Sequence, residues 1–153
     1  MSNNSLTNQE FHWQGRHDAE DGSLGKRVHH IIKQIQVEDL QPYRNAVSIL
    51  GFCSDAGVAR NKGRIGAKKA PDLIRRALAN MAWHKESNLI DLGNVICDDD
   101  LLEQSQELCA EVISKALRST PVITLGGGHE VAWASFLGLA KYFEYLNPTK
   151  PPK

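Results

Sequence analysis

The sequence is poor in cysteine. Its 153 residues include three, Cys53, Cys97 and Cys109, an odd number with no Cys-x-x-Cys pair. That argues against a disulfide scaffold or a thiolate zinc site and for a reducing, cytoplasmic location. Each lies among apolar neighbours and is expected to be a small buried hydrophobe. An excess of either charge is also missing, since 18 Lys+Arg balance 18 Asp+Glu. A nucleic-acid binder driven by bulk charge does not fit, nor does an acidic tail. No apolar run approaches the ~18 residues of a membrane helix, and Met1 to Glu10 is polar, without the apolar stretch of a secretion signal. What remains, 41% hydrophobic and 24% charged, is an ordinary globular composition, suited to about one domain.

Residues 1–10, rich in Ser, Asn and Thr, are expected to be disordered. Residues 11–146 form the predicted folded part. Residues 147–153, with three prolines, cannot continue a helix and are expected to fray. Between these ends the pattern alternates. Residues 24–36 place Leu24, Val28, Ile31, Ile32 and Ile35 on one helical face, and residues 46–52 read as an apolar strand. After a Gly- and Arg-rich loop, Ser54 to Lys69, Pro71 suits the first turn of a helix carrying Leu73, Ile74, Ala77, Leu78 and Met81 inward. Residues 88–92 read as a second strand ended by Gly93. Asp98 to Asp100 offer a cap for a helix buried through Leu101, Leu102, Leu108, Cys109, Val112, Ile113, Ala116 and Leu117. Residues 121–125 read as a third strand, and a last helix runs from about Glu130 to Leu146. This alternation predicts βαβ units around a parallel sheet with helices on its faces. All three strands look buried on both faces, yet three make a small sheet, a first hint that part of it is missing.

The sharpest motif is Leu125-Gly126-Gly127-Gly128-His129-Glu130, where a buried strand passes through three glycines into a helix. Glycines there permit a positive φ or the close approach of a ligand, and open α/β sheets place their sites outside the carboxyl ends of the strands. His129 is therefore a candidate metal ligand; the competing reading is a satisfied polar residue at a helix start. A phosphate cradle is disfavoured, because the run matches neither GxxxxGK[ST] nor GxGxxG. The loop from Ser54 to Ala67 lies at the same edge. Its Arg60, Asn61 and Arg64 are candidates to bind an acidic substrate, Arg being suited to a carboxylate, against the reading of a solvated basic loop. Trp13 is expected to anchor the N-terminal segment, with Arg16 and Asp18 as a local ion pair of little energy. His29 and His30 are adjacent in the predicted helix and so would not share a face. His12, His17 and His84 have no partner at metal-ligand spacing.

Five motifs together resemble the ureohydrolase family (arginase, agmatinase and formimidoylglutamase) over about residues 10–146. They are Trp13-Gln14-Gly15-Arg16, the run from Gly51 to Ala67, Ala70-Pro71-Asp72-Leu73-Ile74-Arg75, Asp91-Leu92-Gly93-Asn94-Val95 and Gly126-Gly127-Gly128-His129-Glu130. Arginase-like members usually have Gly-Gly-Asp-His at the last of these. The Gly-Gly-Gly-His-Glu form, with Arg60-Asn61, is similar to the formimidoylglutamase branch. The resemblance implies a three-layer α/β/α, arginase-like fold with a parallel sheet, incomplete here at about three strands in the order second, first, third. It implies a binuclear manganese centre, with His129 matching the first ligand. Its bridging water, as hydroxide, would attack the formimidoyl carbon of N-formimidoyl-L-glutamate and release L-glutamate and formamide, a step of histidine degradation.

The chain departs from the family in lacking its Asp-x-His-x-Asp motif and its later Asp-x-Asp ligands. Asp98-Asp99-Asp100 is expected to lie at the opposite end of the sheet. One ligand cannot hold two metals, since Mn²⁺ takes about six donors. The chain is thus expected to be the N-terminal half of such an enzyme, inactive alone and binding manganese weakly. Its third strand would expose an edge able to pair with other chains, so homo-oligomerisation through residues 121–125 is expected. Two rival readings are another ureohydrolase, agmatinase- or guanidinobutyrase-like, and a non-catalytic interaction module. The cationic Arg60–Arg64 loop favours an acidic substrate over agmatine, itself a cation.

Overall fold

A computed structural model describes residues 6–7, 11–98 and 101–148. In chain order the elements are β1 (Leu6–Thr7), α1 (Val28–Ile31), β2 (Lys33–Gln34), β3 (Ala46–Cys53), α2 (Ala56–Arg60), α3 (Ala70–Ala79), β4 (Asn88–Ile96), α4 (Leu102–Ala116), β5 (Val122–Gly126) and α5 (Val131–Leu146). Short 3-10 turns cover Ala19–Gly25, Val37–Asp39 and Ala67–Lys69. Most of the N-terminal ten residues, expected to be disordered, and most of the expected frayed end fall outside the described residues. Within them, Leu6–Thr7 pair antiparallel with β4, and Asn147 and Pro148 follow the end of α5.

The predicted α/β architecture is what forms. β3 pairs in parallel with β4 on one side and β5 on the other, giving the order β4-β3-β5. The alternation of a strand sends Leu50 and Phe52 into a core with Leu92, Val95, Cys109, Val112, Ile113 and Ala134 under α4 and α5. It sends Ile49 to the other face with Val28, Leu89, Leu125 and the partly buried Trp13 and Trp83. All three cysteines are buried. Burial pushes the Cys53 thiol up to about 11 and the Cys109 thiol up to about 12, so both are packing residues, as expected.

Five local expectations are corrected. Residues 24–36 are not one helix. A 3-10 turn ends at Gly25, α1 is one turn, and Ile32 turns extended at φ −68°, ψ 139°. Lys33 and Gln34 then add a short parallel strand to β4. Val28, Ile31 and Ile32 serve one face of the sheet and Ile35 the other, which a strand crossing the sheet edge permits and a single helical stripe does not. Gly93 does not end β4 but bulges it. At φ 82° it lets the register step from Ile49 opposite Asp91 to Gly51 opposite Asn94. The cap of α4 is Leu101, with no side-chain cap bond; Asp99 and Asp100 lie outside the described residues. β5 is not covered on both faces either, since Ile123 is 55% exposed.

The fifth correction concerns α3. Leu73, Ile74 and Met81 are exposed, as is Ala77, and the residue this helix buries deepest is Arg75, 0% exposed. A buried guanidinium is tolerable only when its donors are matched. Here Nε and Nη2 donate to the two oxygens of Asp91 at 3.0 and 2.8 Å, Nη1 donates to Asn94 Oδ1 at 2.6 Å, and Nη2 also donates to the Gly93 carbonyl at 2.8 Å. Trp13 Nε1 donates to the same Asp91 carboxylate at 2.9 Å. This is the expected anchor of the N-terminal segment.

Candidate functional site

Because β3, β4 and β5 are parallel, the loops after them share one edge of the sheet. Functional groups of open α/β sheets gather at this carboxyl edge. Asp98 follows β4 and so stands at this edge too, not at the opposite end as expected. It lines a cleft of about 320 Å³ with Cys53, Lys68, Lys69, Asp72 and Arg76. His129 is not among the residues lining that cleft.

The three glycines before His129 have a packing cause. None of Gly126, Gly127 and Gly128 has a positive φ. Each is instead in close approach to the protein itself. A Cβ on Gly126 would meet Val131 at 2.6 Å, one on Gly127 the carbonyls of Ala67 and Ser54 at 2.7 and 2.8 Å, and one on Gly128 the Glu130 carboxyl carbon at 2.6 Å. The loop after β5 is thus pressed against the loop after β3. Glu130 joins them. Its Oε1 accepts from Ser54 Oγ and from the Gly57 backbone N–H, both at 3.1 Å. Its main-chain carbonyl accepts from Gln106 Nε2 of α4 at 2.9 Å. His129 sits between these ties with an exposed side chain.

The loop after β3 is closed by Asp55. Its Oδ1 accepts from the backbone N–H groups of Gly66 and Lys68, both at 3.0 Å. Burial alone would raise this carboxyl, but those N–H groups and that of Ala67 hold it below the usual carboxylate value. The loop therefore presents Arg60, Asn61 and Arg64 from a closed base. Asn61 and Arg64 are exposed. Arg60 pairs through both terminal nitrogens with the Glu103 carboxylate of α4, Nη2 to Oε2 at 3.1 Å, and this pairing holds Glu103 down at about 2. The structure thus brings the predicted loop and His129 to one edge. Arg60 holds the Glu103 carboxylate, the kind of group it was expected to receive from a substrate.

Sequence reasoning missed Asp55 and Glu130 as organisers of this edge. The signal for Asp55 was there, an Asp just after a strand in a glycine-rich loop, where Asx-type turns form. Glu130 stood in the glycine motif, but nothing local marked its carboxylate as a tie, because the partners of that carboxylate are more than 70 positions away. A second cluster was also missed. His17 Nδ1 lies 3.1 Å from His30 Nε2, and the rings of His29 and His30 are 3.9 Å apart, although adjacent residues were expected to diverge. Beside them Asp18 pairs with Arg27 Nη2 at 2.6 Å and with Arg16.

His129 suits a metal by its exposure and its fixed loop, but as one donor only. Among the described residues no group of three or more His, Cys, Asp or Glu side chains is placed to hold a metal ion. One Glu130 oxygen is already used by two donors. The residues present therefore do not fit a binuclear manganese centre by themselves, and no step of a hydrolysis can be assigned to them alone.

A glycine-rich loop and a histidine at the carboxyl edge of a parallel, helix-covered sheet define an α/β protein with its candidate groups gathered at that edge. The chain belongs to the arginase family, whose model matches residues 45–150. It is 67% identical over all 153 residues to a formimidoylglutamase of Vibrio parahaemolyticus and 65% identical to one of Vibrio vulnificus, covering 45% and 46% of those proteins. A formimidoylglutamase of Ralstonia nicotianae is 44% identical over 142 residues, 92% of this chain and 43% of that protein. The chain spans about half the length of the curated relatives it matches.

Proposed function

We propose that this chain is the N-terminal half of a manganese-dependent formimidoylglutamase, an enzyme that hydrolyses N-formimidoyl-L-glutamate to L-glutamate and formamide in the cytoplasm. The observation that carries the reading is His129, held at the carboxyl edge by a Gly-Gly-Gly-His-Glu loop, in a chain 67% identical to a protein of that name. In the intact enzyme His129 supplies one manganese ligand and residues beyond this chain supply the others. The metal's role is to make a hydroxide nucleophile available near neutral pH. The half chain binds manganese weakly and does not turn over. Arg60, Asn61 and Arg64 receive the substrate's carboxylate end, with Glu103 giving way to it at Arg60.

The unfinished sheet supports the half-enzyme reading. Among the described residues β5 pairs with β3 alone; Ile123 is exposed on it, and α5 carries Trp133, Phe136, Leu139 and Phe143 exposed as well. A soluble protein rarely leaves so much apolar surface uncovered without a partner. Further strands paired to β5 would cover it. In their absence the chain self-associates through residues 121–125.

The test is the mass of the native protein in extracts of its source cells, detected with antibody raised against this chain. A band near twice 17.0 kDa supports the enzyme reading. A band at 17.0 kDa overturns it in favour of an interaction module.

A further inference from the structure

Glu130 has no assigned role, yet the two loops that carry the proposed site meet on its side chain. Its Oε1 accepts hydrogen bonds from the hydroxyl of Ser54, which is fully buried, and from the N–H of Gly57 in the first turn of α2. Ser54 Oγ in turn accepts from the Ala56 N–H at 3.2 Å. The space for this carboxylate exists because residues 57 and 128 have no side chains: a Cβ on Gly57 would lie 2.8 Å from the Glu130 carboxyl carbon, and one on Gly128 at 2.6 Å. From behind, Gln106 of α4 holds the Glu130 carbonyl. One residue thereby ties the loop after β5, the loop after β3 and α4.

We infer that Glu130 is a positioning residue, a clasp that fixes His129 and the Arg60–Arg64 segment in a single frame. The importance of this role for catalysis rests on the hydrolase reading; the clasp itself does not. The chemistry required is hydrogen-bond acceptance by one oxygen. Glutamine supplies that oxygen and alanine does not, so the two substitutions separate a clasp from a mere charge. Losing a bond between a backbone donor and a carboxylate acceptor is enough for roughly a tenfold or greater change in local opening.

The experiment uses this chain without metal or substrate, so its failure and the failure of the hydrolase reading are distinguishable. Amide hydrogen exchange and ¹⁵N relaxation are measured on the parent, Glu130→Ala and Glu130→Gln. In Glu130→Ala the Gly57 amide is expected to exchange at least about tenfold faster, and the amides of 127–129 to lose order. The Leu50 amide, in the sheet interior, keeps its protection. Glu130→Gln restores the parent pattern. Unchanged Gly57 exchange in the alanine variant overturns the clasp. So does failure of glutamine to rescue, or a loss shared equally by Leu50, which would mark general destabilisation. If Glu130→Ala does not fold, Ser54→Ala carries the test. It removes one of the two donors, so 127–129 loosen while Gly57 stays protected, and an unaltered 127–129 segment overturns the proposal.

Discussion

Arg75 illustrates what a single residue decides in this fold. A helix read by its apolar positions turned out to be docked by its arginine, because the Asp91 carboxylate and the Asn94 and Gly93 oxygens receive its donors in the dry interior. Removing one partner of such a pair leaves an uncompensated buried charge, at about 3–5 kcal/mol. Arg75→Ala is therefore expected to lose that much stability in urea unfolding, a large share of the ~5–15 kcal/mol typical of a domain, and to free Trp13 as well. The His17–His30 contact predicts a pH effect. Desolvation lowers His30 first, then the neighbouring His29, His17 and Arg27 charges, with Asp18 opposing. A lowered folded value means that the neutral ring is the stabilising form. The contribution is complete above the unfolded value of about 6.5 and is lost as pH falls through the lower folded value. The protection of amides across residues 16–18, corrected for the intrinsic pH dependence of exchange, should thus fall as pH drops below about 6.5, and His30→Gln should flatten that profile. Residues with local causes, such as Trp13 as an anchor and buried Cys109, were legible in the sequence. Arg75, Asp55 and Glu130 were not, because what makes each important is a partner brought near by the fold.

At the scale of elements, the three long strands and their helices were readable within one to four residues, since their apolar patterns run long enough to be distinctive. The segment 24–36 was not, because its hydrophobic residues satisfy a helical period while supplying both faces of the sheet edge. The glycine run was readable as an unusual turn, but its cause, the approach of Ala67 and Ser54 to Gly127, is tertiary. The α4–α5 contact is another close approach. α5 meets α4 through the small buried residues Ala134 and Gly138, and a Cβ on Gly138 would fall 2.7 Å from Ile113 Cβ and 3.0 Å from the Ala110 carbonyl. Gly138→Ala gains about 1 kcal/mol of helix propensity but overpacks at a cost of about 1–3 kcal/mol. A net loss is expected, read as a lower thermal midpoint; a higher midpoint would mean that α5 stands farther from α4.

The molecule as a whole is a sheet with one finished side. Among the described residues β4 is flanked by β1 and β2 beyond β3, whereas β5 has β3 on one side and no strand on the other. Trp133, Phe136 and Phe143, each more than half exposed, lie on the helix that follows that edge strand. Open apolar edges recruit partners, so light scattering should show association at high concentration. Ile123→Lys with Phe136→Lys should shift the chain to monomer without lowering its thermal midpoint; a parent chain already monomeric would count against this. That the chain matches only part of a family member could be read from the sequence, in the small strand count and the absent Asp-x-His-x-Asp, and it spans about half the length of its curated relatives. Which surfaces are left exposed could not be read there, because exposure is a property of the assembled faces. The most direct measurement joins residues 1–146 of this chain to the C-terminal portion of the Vibrio parahaemolyticus protein that it does not cover and assays formamide release from N-formimidoyl-L-glutamate with Mn²⁺, beside the chain alone. The expected result is turnover by the joined protein, abolished by His129→Ala, and none by the chain alone. Turnover by the chain alone, or a folded joined protein that leaves this substrate untouched, would contradict the account.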